Sequence, residues 1–182
     1  MPLDIDPRPA LIVIDLQAGT LSNPTVHPAA EIVAKSVELL DAFRTKGLPV
    51  VLASVVGSPA GRNNYGGGAR EYPAEFSELA PELNQQPTDL IVTRNTWSAF
   101  AGTDLSLALA ERGVTQVILV GVATSFGVES TARSAYDLGY NVIVATDAIT
   151  DLRVESHEGS VARVFPVLAQ TATVEEIVAA LR

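Results

Sequence analysis

The chain has 182 residues, 47% of them hydrophobic, with a net charge of −9 and no cysteine. That length suits one domain, spanning 1–182, with a core that needs neither disulfides nor metals, and no run approaches the roughly 20 apolar residues of a membrane span. The acidic balance argues against nucleic-acid or anionic-membrane partners, and the opening MPLDIDPRPA lacks the basic-then-apolar plan of a signal peptide, so a cytoplasmic protein acting on a small molecule is expected.

In chain order, residues 10–14 (ALIVI) read as a buried strand ending at Asp15, followed by loop from Leu16 to Pro28. Pro28 stands where a helix can begin, and Ile32, Val33, Val37, Leu40 and Phe43 mark its apolar face as far as Gly47. Residues 49–56 form a second strand. The stretch 57–70, GSPAGRNNYGGGAR, holds five glycines and no periodicity, which predicts a long loop of the kind that serves as a lid or binding segment. Its Arg62, Tyr65 and Arg70 are candidates for anion contacts, although loop arginines are more commonly just solvated. A short helix at 74–79, a strand at 89–93 and a helix at 105–112 capped by Thr103-Asp104 come next.

Residues 116–139 organise the rest. Val117 to Val120 is too short for a helix and β-branched enough for a buried strand. It breaks at Gly121, turns through Val122-Ala123-Thr124, and resumes with helical spacing at Val128, Ala132, Ala135 and Leu138 up to Gly139. A strand at 141–145, helices at 155–164 and 173–182, and a short strand at 167–170 complete the pattern. Alternating strands and helices imply an α/β fold, a parallel sheet covered on both faces.

Three polar positions fall at strand ends: Asp15, Arg94 and the Thr124–Gly127 turn. A parallel sheet puts all three on one rim, where ligands bind. A carboxylate beside a guanidinium is normally ionised, but burial or substrate charge can reverse that and let Asp15 donate a proton. The bland alternative makes Asp15 a loop cap with Arg94 as its partner. Gly127 lies in the first turn of a helix, where Gly costs about 1 kcal/mol relative to Ala. Either a ligand needs the space, or helix and strand simply pack closely there.

The runs LIVIDLQ (11–17), VTRNTWSAFAGTDL (92–105) and GVATSFGVESTARSAYDLGYNVIVATDA (121–148), with DAITD followed by His157, resemble the isochorismatase-like (cysteine hydrolase) superfamily over nearly the whole chain. The resemblance implies a three-layer α/β/α, Rossmann-like fold with a six-stranded, mainly parallel sheet. It also implies an Asp–Lys–Cys triad on one rim, with Asp15 as the Asp, Arg94 in the Lys position and Gly127 in the Cys position. A cis peptide is implied at Val122-Ala123, beside an oxyanion hole of backbone N–H groups. Gln17, Trp97, Phe100, Val122, Ala123, Thr124 and Phe126 become candidate substrate-binding residues; for Trp97 and Phe100 plain core packing is the alternative. A homodimer or homotetramer is implied as well.

Without a thiol at 127, the amidase chemistry of the family has no nucleophile. The chain has only His27 and His157, neither in an Asp-x-His arrangement, so neither a metal nor another cofactor is expected. Isochorismatases in the superfamily carry Gly at this position. They hydrolyse a vinyl ether, the Asp protonating the enol carbon and water adding to the oxocarbenium. Non-covalent hydrolysis of isochorismate or a similar small carboxylic acid, with Asp15 as acid or base, is therefore expected. Two rivals stand beside it. One is a non-catalytic relative that binds a small acid or a partner. The other is a serine hydrolase built on Ser125, with Asp147 or Asp151 and then His157, because A-T-S-F-G at 123–127 is one substitution from a G-x-S-x-G elbow.

Overall fold

The computed structural model describes residues 3–181. The strands are β1 (Pro9–Ile14), β2 (Val50–Val55), β3 (Gly57–Ser58), β4 (Arg70–Glu71), β5 (Leu90–Arg94), β6 (Gln116–Val122), β7 (Asn141–Thr150) and β8 (Gln170–Ala172). The helices are α1 (Ala18–Leu21), α2 (Ala29–Thr45), α3 (Leu105–Ala110), α4 (Glu129–Asp137), α5 (Val154–Gly159), α6 (Phe165–Leu168) and α7 (Val174–Ala180). No described helix is long and apolar enough to cross a membrane.

Six strands form one sheet in the order β5-β2-β1-β6-β7-β8, every neighbouring pair parallel. Side chains of a strand alternate between faces, so each apolar strand feeds two cores. Leu11 and Val13 of β1, with Ile118, Val120 and Val122 of β6, pack with Leu39, Leu40 and Phe43 of α2 and Ile177 of α7. Ala10, Ile12 and Ile14, with Val117 and Leu119, pack with Leu105 and Leu109 of α3, Ala132 and Ala135 of α4, and Phe165 of α6. These two cores make the three layers. The chain runs outward from β1 through β2 to β5, then returns to lay β6 beside β1 and continues to β8. The order therefore reverses between β1 and β6, and a crevice opens beyond their carboxyl ends.

Several boundaries differ from expectation. β7 extends to Thr150, because its register on β6 shifts between Leu119 and Gly121 and the strand resumes at Ile149 and Thr150. The strand expected at 167–170 is displaced to β8, since Phe165–Leu168 is helical, with Pro166 in the first turn where its missing N–H costs nothing. A single helical turn, α1, interrupts the loop expected at 16–28. The glycine-rich stretch begins and ends in a small hairpin, Gly57 pairing with Glu71 and Ser58 with Arg70. Residue 182 of the last expected helix lies outside the described residues.

Candidate active site

β1 ends on Asp15, whose φ of 50° is in the left-handed region. Side chains seldom adopt it outside functional or strongly constrained positions, though Asp tolerates it better than most. The constraint is visible: the Asp15 N–H donates to the Ala53 carbonyl at 2.9 Å, and the Thr20 hydroxyl of α1 donates to the Asp15 carbonyl. Arg94 is the last residue of β5, two strands away, and reaches past β2 to meet Asp15. Its Nη1 donates to Asp15 Oδ1 at 2.7 Å and its Nη2 to Oδ2 at 3.0 Å, a fork-on-fork contact that a lysine cannot make. Nη2 also donates to the Trp97 carbonyl at 2.9 Å. Both residues are buried, Asp15 at 6% and Arg94 at 4% exposure. Burial pushes the Asp15 carboxyl above its ordinary pKa, and the hydrogen bonds and charge of Arg94 only partly pull it back.

β6 supplies the opposite wall. At Gly121, with φ 123°, a Cβ would sit 1.9 Å from the Ile14 carbonyl oxygen, so only glycine lets β6 run this close to the end of β1. The Val122–Ala123 peptide is cis. A π-helical turn, Thr124–Val128, then leads into α4. Within it the Phe126 and Val128 N–H groups donate to the Ala123 carbonyl, and the Ser125 N–H donates to Asp151 Oδ2 at 2.7 Å. The Thr124 hydroxyl meets His157 Nδ1 at 2.9 Å. Burial first and neighbouring His27 second hold the His157 imidazole below its ordinary pKa, so it is neutral near pH 7.

Gly127 faces the ion pair directly. A Cβ there would stand 2.8 Å from Ile14 Cγ2, 3.1 Å from Asp15 Oδ2 and 3.5 Å from Arg94 Nη2. A Cβ at this position would therefore crowd Ile14 and the Asp15 carboxylate.

Between these elements lies a cavity of about 220 Å³. Asp15, Val122, Ala123, Gly127, Phe126 and Trp97 line it, as do Val55, Tyr72, Phe76, Asn95 and Leu152. Trp97 and Phe126 meet edge to face with centroids 4.9 Å apart, and both stay partly exposed at the mouth. Five of the residues singled out in the sequence besides Asp15 thus converge on one cavity. The others do not line it. Gln17 is fully buried: its amide donates to the carbonyls of Val55 and Phe76 at 2.9 and 3.0 Å and accepts from the Val55 N–H at 2.8 Å, fixing two wall residues from behind. Phe100 packs in the core under α3 and stacks on Tyr140. Thr124 points to His157, and Arg94 stands behind Asp15. Arg62, Tyr65 and Arg70 are not among the lining residues.

The serine-hydrolase arrangement is not formed. The hydrogen bond of His157 goes to Thr124, and Asp151 accepts from the N–H groups of Ser125, Leu152 and Arg153. Asp147 accepts from the Val174 N–H and pairs with Lys35. Tyr72 and Phe76 were missed in the sequence. They follow a loop without periodicity, and nothing local marks them as facing Asp15.

Over residues 9–176 the chain matches the isochorismatase domain family. It is 37% identical over 182 aligned residues to the uncharacterized isochorismatase family protein YwoC of Bacillus subtilis (strain 168), covering 96% of this chain and 95% of that one. It is 36% identical to the similarly described YecD of Escherichia coli O157:H7, covering 94% and 95%. The solved structure of an isochorismatase family protein from Burkholderia thailandensis superposes with a TM-score of 0.92 at 38% identity, covering 97% of each chain. The six-stranded order, the crevice between β1 and β6 and these matches agree: the chain belongs to the isochorismatase domain family.

Proposed function

We propose that this protein hydrolyses an enol ether of a small carboxylic acid without a covalent intermediate, with Asp15 as the proton donor. The observation that carries the reading is the buried Asp15 carboxyl. It opens on the cavity, its pKa is raised by burial, and Arg94 holds both of its oxygens in a fixed direction. A general acid must be protonated near the working pH and aimed at the atom it protonates, which contributes about 10²–10⁴-fold to rate. Gly127 supports the absence of a covalent step, because it has no side chain to serve as nucleophile and a Cβ there would crowd Ile14 Cγ2 and Asp15 Oδ2.

The step balances as follows. The Asp15 proton goes to the terminal enol carbon, and the ether oxygen's lone pair forms the oxocarbenium. Water adds to that cation and returns a proton to the Asp15 carboxylate. The hemiketal then collapses to a keto acid and an alcohol.

The test is pyruvate release from α-phenoxyacrylate, an enol ether with one carboxylate, comparing wild type with Asp15→Asn. Turnover reduced at least 100-fold in the variant is expected. Folded wild type that binds this ether and does not convert it would replace this reading with the binding-only one.

A further inference from the structure

A count of charges in the cavity goes beyond the reaction type to the class of acid accepted. Asp15 and Tyr72 are the titratable residues lining it. Among the described residues one cation stands close, Arg94 of β5, and it is buried with both terminal nitrogens on the Asp15 oxygens. On the turn side, Asp151 faces the Ser125 N–H and His157 faces Thr124 and His27, so neither presents a charge to Asp15. The hairpin arm's Arg62 and Arg70 are exposed and outside the lining. The site thus has one positive charge and one carboxyl group to match it.

We infer that the site accepts a single carboxylate, and that binding this monoanion is coupled to uptake of one proton by Asp15. While Asp15 is ionised it balances Arg94, and an incoming carboxylate would be a second negative charge in a low-dielectric pocket. Protonating Asp15 frees the Arg94 charge to be balanced by the ligand. The same uptake arms Asp15 as the acid, so the substrate's own charge prepares its catalyst. A second ligand carboxylate would meet no cation, and burying it unpaired is costly. The aromatic walls suit one ring beside that carboxylate: a dry cavity of about 150 Å³ already holds a benzene, and this one is about 220 Å³.

This inference rests on Asp15 working in its protonated form, as proposed above, but its test needs no turnover. The probes are phenoxyethanol, phenoxyacetate and meta-carboxyphenoxyacetate: one ring with zero, one and two carboxylates. Titration calorimetry of the wild type in two buffers of different ionisation enthalpy counts protons taken up. The fluorescence of Trp97, the single tryptophan, reports occupancy independently. Phenoxyacetate is expected to bind at least tenfold more tightly than the dianion. Its uptake should approach one proton above the pKa of free Asp15, where its affinity falls roughly tenfold per pH unit. Phenoxyethanol should take up none, and Asp15→Asn should bind phenoxyacetate without uptake. A dianion that binds as tightly as the monoanion, a monoanion bound without uptake wherever the protein is folded, or no binding by any probe would each overturn the inference. Proton uptake without pyruvate release would remove the hydrolysis reading and leave this one standing.

Discussion

Substitution of Gly127 by alanine separates two physical effects of opposite sign. Gly127 has no positive φ, so its backbone admits a side chain, and Gly→Ala at a helical position normally stabilises by about 1 kcal/mol. Against this, the new Cβ would lie 2.8 Å from Ile14 Cγ2 and 3.1 Å from Asp15 Oδ2. Ile14 is fully buried in β1 with both faces of the sheet covered, and a β-branched side chain has little rotamer freedom with which to retreat. Overpacking of this kind costs about 1–3 kcal/mol, and displacing Asp15 from the Arg94 fork adds to it. The net expectation is a loss of about 1–2 kcal/mol, a fall of about 2–4 °C in Tm per kcal/mol for a domain of this size. Urea denaturation of wild type, Gly127→Ala, Ile14→Ala and the double variant closes a cycle. Removing Ile14 Cγ2 should let alanine at 127 enter at less than its cost in the wild type, a coupling of about 1 kcal/mol. A Gly127→Ala protein as stable as wild type, or more stable, would refute the close fit. Gly127→Cys carries the same Cβ, so it is expected to gain no activity on small amides while Arg94 is present.

Removing Arg94 tests the pair from the other side. Arg94→Ala strands a buried carboxyl and should cost about 3–5 kcal/mol at neutral pH, shrinking in acid where Asp15 becomes neutral; an equal loss at both pH values would contradict the ion-pair reading. Because the folded Asp15 pKa lies above its ordinary 3.8, the native state binds the extra proton. Stability from this group is full below about pH 3.8 and declines as pH rises through the folded pKa, so urea midpoints of wild type should fall relative to those of Asp15→Asn over that window. His157 has the opposite sign. Its folded pKa is lowered, so its contribution is present above pH 6.5 and lost as pH falls through the folded value, and His157→Gln should flatten that limb of the stability curve. Gly121→Ala combines a forbidden φ with a Cβ 1.9 Å from the Ile14 carbonyl, and far-UV circular dichroism of the soluble fraction should show little folded protein.

Much of the site was readable because strand ends in a parallel sheet share a rim. Asp15, Arg94 and Gly127 could be grouped on that ground alone, and they meet within hydrogen-bond and van der Waals distance. The reading of Gln17 and Phe100 as pocket walls had no such support, since residues three positions past a strand or deep in a loop can turn either way. Gln17 turned inward to satisfy the backbone of Val55 and Phe76. Tyr72 and Phe76 reach the cavity through a glycine-rich excursion whose path depends on pairing with distant residues, so no local period reveals them.

What the amino-acid order determined by itself is the alternation of strands and helices, and with it the α/β class, because periods of two and 3.6 are local properties. It also placed a carboxylate, a guanidinium and a glycine at strand ends. Only the tertiary structure decided the upward shift of the Asp15 pKa and the crowding of the space beside Gly127. Both depend on burial and on distances between residues 33 or more positions apart in sequence. Desolvation and steric contact act through space, so neither can be read from neighbours along the chain.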